Sequence, residues 1–193
     1  MDGTATSGHD RGPVSELPYR LSVCGKSELP QFAGREVTHL LSLEDPEVPK
    51  ETPAWHTGPH AQLRFHDMVR AGPERPGRVP PTRDDARRIL EVGSRCLAAA
   101  RERSLHLLVH CHAGSSRSGA AGYLLLAQAL GPGREAEALH RLCELRPAVL
   151  PNPLLVGFGD ELLGREGSLV RAAAPLLEAV DEIVDLLGPP GEG

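Results

Sequence analysis

Aromatic residues are scarce: one Trp, two Tyr and three Phe make up 3% of the 193 residues. Basic residues are outnumbered too, 21 Lys and Arg against 26 Asp and Glu, for a formal net charge of −5. A nucleic-acid surface needs a basic patch and usually stacking rings, so these two shortages argue against that class. No apolar run approaches the roughly 18 residues of a membrane span. The opening stretch MDGTATSGHDRGPVSE lacks the apolar core of a secretory signal. The sequence therefore predicts a soluble, cytoplasmic protein with neither a nucleic-acid nor a membrane partner. Only four cysteines are present, Cys24, Cys96, Cys111 and Cys143, with no CxxC pair and no dense spacing. That excludes a disulfide scaffold and leaves four free thiols. The question becomes which of them is reactive.

The remaining composition, 40% apolar and 24% charged, is that of a globular chain, and the length fits one domain with a full core. Residues 1–18 read as a polar lead-in, 19–187 as a single domain and 188–193 as a tail. Strands are predicted at 19–24, 36–43, 61–67 and 105–111, where apolar and branched residues run or alternate. A short helix is expected over 27–34, with Ser27 as N-cap and Gly34 as C-cap. Thr82 and Asp85 match a capping box opening a helix over 82–103. Further helices are predicted at 116–130, closed by Gly131 and Pro132, and at 135–146 before Pro147. Asn152 and Pro153 read as N-cap and first helical residue of a helix to about 163. A last helix, about 168–187, gathers Leu176, Leu177, Val180, Ile183, Val184 and Leu187 on one face, expected to pack on its own domain. Two loops rich in Pro or Gly, 44–60 with the only Trp (Trp55) and 70–81, are long enough to lie over a site. Strands alternating with helices imply an α/β fold: a mainly parallel sheet of four to five strands with helices on both faces.

In such sheets ligands collect where strand C-termini lead into helix N-termini, and VHCHAGSSRSG, residues 109–119, occupies that place. Small residues from His112 to Ser116 allow successive backbone N–H groups to turn inward as a nest for a tetrahedral oxyanion. Arg117, at the helix start, can close a bidentate contact. A thiol in that nest feels the helix end, the amides and the guanidinium together, and each favours thiolate. Cys111 is thus a candidate nucleophile.

HCHAGSSRS, residues 110–118, resembles the phosphate-binding loop of cysteine-based protein tyrosine phosphatases: His-Cys, five residues, Arg, then Ser or Thr. The order of elements over residues 19–163 is similar to the compact dual-specificity branch. LRFHD (63–67) and RPAVLPN (146–152) look closest to its bacterial members. The resemblance implies a phosphatase acting through a phosphocysteine on Cys111. His112, Ala113, Gly114, Ser115, Ser116 and Arg117 would hold the phosphoryl oxygens, and Ser118 would stabilise the departing thiolate. His110 would support the loop, and Asp67 would be the general acid. Asp84 and Asp85 compete for that role, but both sit in a first helical turn, where acids serve capping. The implied partner is a phosphotyrosine protein or a small phosphomonoester, the implied cofactor and metal are none, and the expected state is a monomer. The loop interior carries no Lys, which argues against highly charged phosphoinositides.

Other readings compete. His106, His110, Cys111 and His112 are close enough in sequence to ligate a metal, although along a strand the histidines share one face and Cys111 points the other way. A sulfurtransferase or an arsenate reductase also uses a thiolate in an anion loop, and a catalytically silent relative would bind phosphoprotein without turnover. Cys24 could also form a redox disulfide with Cys111.

Overall fold

The computed structural model describes residues 17–69 and 77–187, and beyond Glu178 the helical backbone alone. Nearly all of the expected lead-in, the tail and residues 70–76 of the second loop therefore lie outside the described residues. Four strands, β1 (Arg20–Gly25), β2 (His39–Glu44), β3 (His60–Arg64) and β4 (His106–Cys111), form one parallel sheet in the order β1-β4-β2-β3. Five α-helices follow the chain: α1 (Arg83–Ala99), α2 (Arg117–Leu130), α3 (Glu135–Leu145), α4 (Pro153–Leu162) and α5 (Ser168–Leu187). The α/β architecture and parallel sheet are as the sequence implies.

The two faces are covered unequally. Leu21, Leu41, Leu43, Leu63, Leu107 and Val109 point into the larger core, which residues of all five α-helices complete. On the other face Cys24, Leu40 and Leu108 meet Leu29 of a 3-10 helix (Lys26–Phe32), with Trp55 packed against them. Helices thus lie on both faces, but the second layer is one short helix and a loop. Trp55 serves that back layer. Each fully buried leucine contributes roughly 1.5–3 kcal/mol over an exposed one, and the larger core holds most of them.

Several predicted boundaries shift, each for a local reason. The short helix is 3-10 and begins a residue early, with Gly25 as its cap in place of Ser27. Pro30 supplies no N–H for an α-turn, and the Glu28 carboxylate instead accepts from Gly25 N at 2.6 Å. Ala33, not Gly34, is the C-cap, while Gly34 takes the left-handed conformation next to it. β2 starts at His39 rather than 36, because Glu36 has φ 54°, outside any strand. β3 stops at Arg64, three residues short of Asp67. Its one neighbour among the described residues, β2, ends in the Asp45-Pro46 turn, and Phe65 N to Glu44 O is the last rung. α1 ends at Ala99 and α3 at Leu145, before Pro147 excludes a further helical residue. The Thr82/Asp85 box, the Asn152/Pro153 start and the α5 span are as expected. Of the predicted α5 face, Leu176 and Leu177 have described side chains, and both are half-buried.

Candidate active site

β4 delivers Cys111 between the ends of β1 and β2, pairing it with Gly25. The thiol is 1% exposed, at the inner end of the loop that runs into α2. Its Sγ accepts from Gly114 N at 3.2 Å and lies 3.1 Å from Ser118 Oγ. The carbonyls of His112 and Ala113 are engaged from outside, by Lys26 N at 3.0 Å and Arg146 Nη2 at 3.2 Å. The amides of Ala113, Ser115, Ser116 and Arg117 find no acceptor among the described residues. Outward carbonyls and unanswered amides are the makings of an anion nest, extended by the orphan donors of the α2 N-terminus.

Gly114 makes the loop possible. It has φ 75°, and a Cβ there would lie 2.4 Å from Gly25 N and 2.5 Å from the carbonyl carbon of Cys24. Both contacts are with backbone, so neither can yield cheaply. Gly114→Ala should therefore displace the loop by a sizeable fraction of an ångström and slow any reaction carried out at Cys111 by about 100-fold, the scale of a misplaced reacting group. Steady-state kinetics beside a thermal melt check this; wild-type kcat/KM in the folded variant would refute it.

Arg117 is 3% exposed and held at its back edge. Its Nη1 donates to Asp45 Oδ1 at 2.7 Å and to Phe65 O at 2.9 Å. Its Nε has no partner and faces Asp67 Oδ2 at 3.9 Å. A buried guanidinium N–H without an acceptor is costly, and the geometry leaves that edge for an anion.

Asp67 reaches the same place from beyond β3. Its Oδ1 accepts from Ser116 Oγ at 2.6 Å and from Asn152 Nδ2 at 2.9 Å. Asn152, fully buried, also donates to Met68 O and caps α4 by accepting from Leu155 N. His66 fixes the segment from the other side: His66 N donates to Val79 O, and its Nδ1 accepts from Val79 N at 2.8 Å. Asp45, His66, Asp67 and Arg78 join His112 and Arg117 around a cavity of about 260 Å³.

Of the predicted residues, Asp67, His112, Ala113 and Arg117 line this cavity, while Cys111 and Ser118 are buried behind the loop, 3.1 Å apart. Asp84 and Asp85 stay at the α1 N-terminus, paired with Arg87 and Thr82. His110 points to the opposite face of β4, its Nε2 2.5 Å from Ser42 Oγ. Burial holds its pKa down to about 4, so it is neutral near pH 7. His106 shares that face, bonded to Ser22, and among the described residues no group of three His, Cys, Asp or Glu could hold a metal. Cys24 leaves β1 on the same face as His110, away from Cys111, and burial pushes its thiol up to about 12. A Cys24–Cys111 disulfide would require one strand to turn over.

Three contributors escaped the sequence reading. Asp45 carried no signal beyond a loop position, and Arg146, which opens the RPAVLPN match, was not given a role. Asn152 was legible as a cap, but its second task was not. Arg146 pairs with Glu28 at 2.8 Å, which holds the Glu28 carboxyl below its usual range and braces the Ala113 carbonyl.

No family model matches the chain, and no curated protein matches it in sequence. Solved structures do. Human DUSP28 superposes with a TM-score of 0.56 at 17% identity, over 77% of this chain and 93% of its own. DUSP15 gives 0.53 at 19%, over 85% and 94%. The human tyrosine phosphatase-like serine/threonine/tyrosine-interacting protein gives 0.51 at 18%, over 72% and 84%. The chain has the fold of the dual-specificity phosphatases. That fold is shared by a protein named only as phosphatase-like, so activity has to be argued from the side chains. Among the described residues, no helix is long and apolar enough to cross a membrane.

Proposed function

We propose that this protein is a cysteine-dependent phosphomonoesterase with phosphotyrosine as its preferred substrate. The observation that carries the reading is the buried Nε of Arg117, which makes no hydrogen bond, together with four unanswered amides in the loop that runs from Cys111 into α2. The Cys111 thiolate attacks phosphorus. The S–P bond forms as the ester P–O bond breaks, and the leaving oxygen takes a proton from Asp67. That proton sits on Oδ2, since Oδ1 already accepts from Ser116 and Asn152. The Asp67 carboxylate then takes a proton from water, whose oxygen bonds phosphorus as the P–S bond breaks. Ser118 Oγ donates to the departing thiolate. No step calls for a cofactor or metal. The burial of Cys111, 1% exposed, favours the long phosphotyrosine side chain over phosphoserine. Four free cysteines agree with a reducing, cytoplasmic setting.

The test is hydrolysis of para-nitrophenyl phosphate near pH 6 in EDTA, with and without vanadate. Turnover that EDTA leaves intact and vanadate abolishes is expected. Loss in EDTA would restore metal chemistry, and inactivity of the folded protein would leave a binding role.

A further inference from the structure

Behind the Cys111 loop runs a chain of hydrogen bonds that the mechanism does not use. Ser42 Oγ, on β2, lies between two imidazoles: His110 Nε2 at 2.5 Å and His60 Nε2 at 2.7 Å. Ser42 Oγ has no further hydrogen-bond partner among the described residues, so its one proton goes to one ring and it accepts from the other. The outer end of the chain decides which. His60 Nδ1 faces Gln62 Nε2 at 3.1 Å and Thr52 Oγ1 at 2.8 Å. Gln62 Nε2 is only a donor, and it also donates to Glu51 O at 3.4 Å; the flipped amide would set two acceptors against each other there. His60 Nδ1 therefore accepts, and the proton of the neutral ring sits on Nε2. His60 donates to Ser42, Ser42 donates to His110 Nε2, and the proton of His110 is left on Nδ1. That nitrogen makes no hydrogen bond among the described residues, and the backbone group beside the ring is the Cys111 main chain.

We infer that His60 and Gln62 are positioning residues: the donor chain Gln62, His60, Ser42 fixes His110 as the Nδ1–H tautomer and aims a donor at the Cys111 main chain. The inference rests on the phosphatase reading for its catalytic meaning. With the opposite tautomer, a ring lone pair would face the Cys111 backbone. The effect acts through hydrogen-bond direction, in a fixed field. Glu44 and Lys26, paired at 2.7 Å, face His110, while His56 and Glu44 face His60.

The test compares wild type, His60→Leu, His60→Gln and Gln62→Leu. Gln at position 60 keeps a donor near Nε2, whereas Leu removes it. Long-range proton–nitrogen correlation spectra of 15N-histidine-labelled protein above pH 7 read the tautomer, and the pH dependence of iodoacetamide alkylation of Cys111 reads the thiolate. His110 should be Nδ1–H in wild type and in His60→Gln, and mixed or Nε2–H in His60→Leu. Alkylation at pH 6 should slow by about three- to tenfold in His60→Leu, an upward shift of about half to one pH unit, and stay within about twofold in His60→Gln. Gln62→Leu, which leaves every ring in place, should move both readouts in the same direction if His60→Leu fails to fold. The same tautomer and alkylation profile in every folded variant would overturn the inference. Neither readout uses turnover, so a protein that shows both effects and hydrolyses no ester would sink the phosphatase reading alone.

Discussion

Cys111→Ser is expected to abolish phosphomonoester hydrolysis, by about 10⁴-fold or more, while the protein keeps its fold and its affinity for inorganic phosphate. The size of the loss follows from what the loop can activate. Its amides and the Arg117 edge stabilise a negative charge that a thiol readily acquires, but a serine hydroxyl ionises far above any pH they could reach. Retention of the fold follows from the contacts. Gly114 N donates to Sγ, and a serine oxygen accepts from the same amide; Ser118 can bond to it as well. Retention of binding follows because the anion contacts come from Arg117 and the 113–117 backbone. Kinetics with an aryl phosphate, a thermal melt and phosphate titration by calorimetry make the comparison. Turnover persisting in the serine variant would remove Cys111 as nucleophile. If wild type and variant both bound phosphotyrosine peptide and neither hydrolysed it, the protein would be a phosphoprotein-binding relative.

How much of this was legible in the sequence depends on whether a residue acts where it stands. The HCHAGSSRS stretch could be read because spacing alone assigns its parts: a strand end, five residues of nest, and an Arg at a helix start. LRFHD and RPAVLPN looked like softer matches, yet they supply Phe65 O and Asp67, and with Arg146 and Asn152 the groups that hold the Ala113 carbonyl and Asp67. What could not be read was partnership across the sheet. Arg117 and Asp45 are 72 positions apart, and Asn152 and Asp67 are 85 apart. Only the strand order β1-β4-β2-β3 brings the ends of β2, β3 and β4 together. The same order explains why β3 was predicted too long. Alternation in AQLRFHD continues past Arg64, but an edge strand ends where its one neighbour turns away.

Asp67→Asn should slow hydrolysis of phenyl phosphate, a poor leaving group, by about 10² to 10⁴-fold, and that of nitrophenyl phosphate by about tenfold or less. The asparagine is close in size, and its oxygen can still accept from Ser116 and Asn152, so the loop should stay in place. What it loses is a proton at Oδ2, and the need for that proton grows with the basicity of the leaving oxygen. Asp45 is the control, because among the described residues it is the other carboxylate lining the cavity. Its Oδ1 is committed to Arg117 Nη1 at 2.7 Å, on the edge of the guanidinium away from the unpartnered Nε. Asp45→Asn should weaken the hold on Arg117 and lower kcat/KM for both esters by the same factor. If instead Asp45→Asn separated the two leaving groups and Asp67→Asn did not, the acid would be Asp45, and Asp67 would join Asn152 as part of the clamp between the β3 loop and the start of α2.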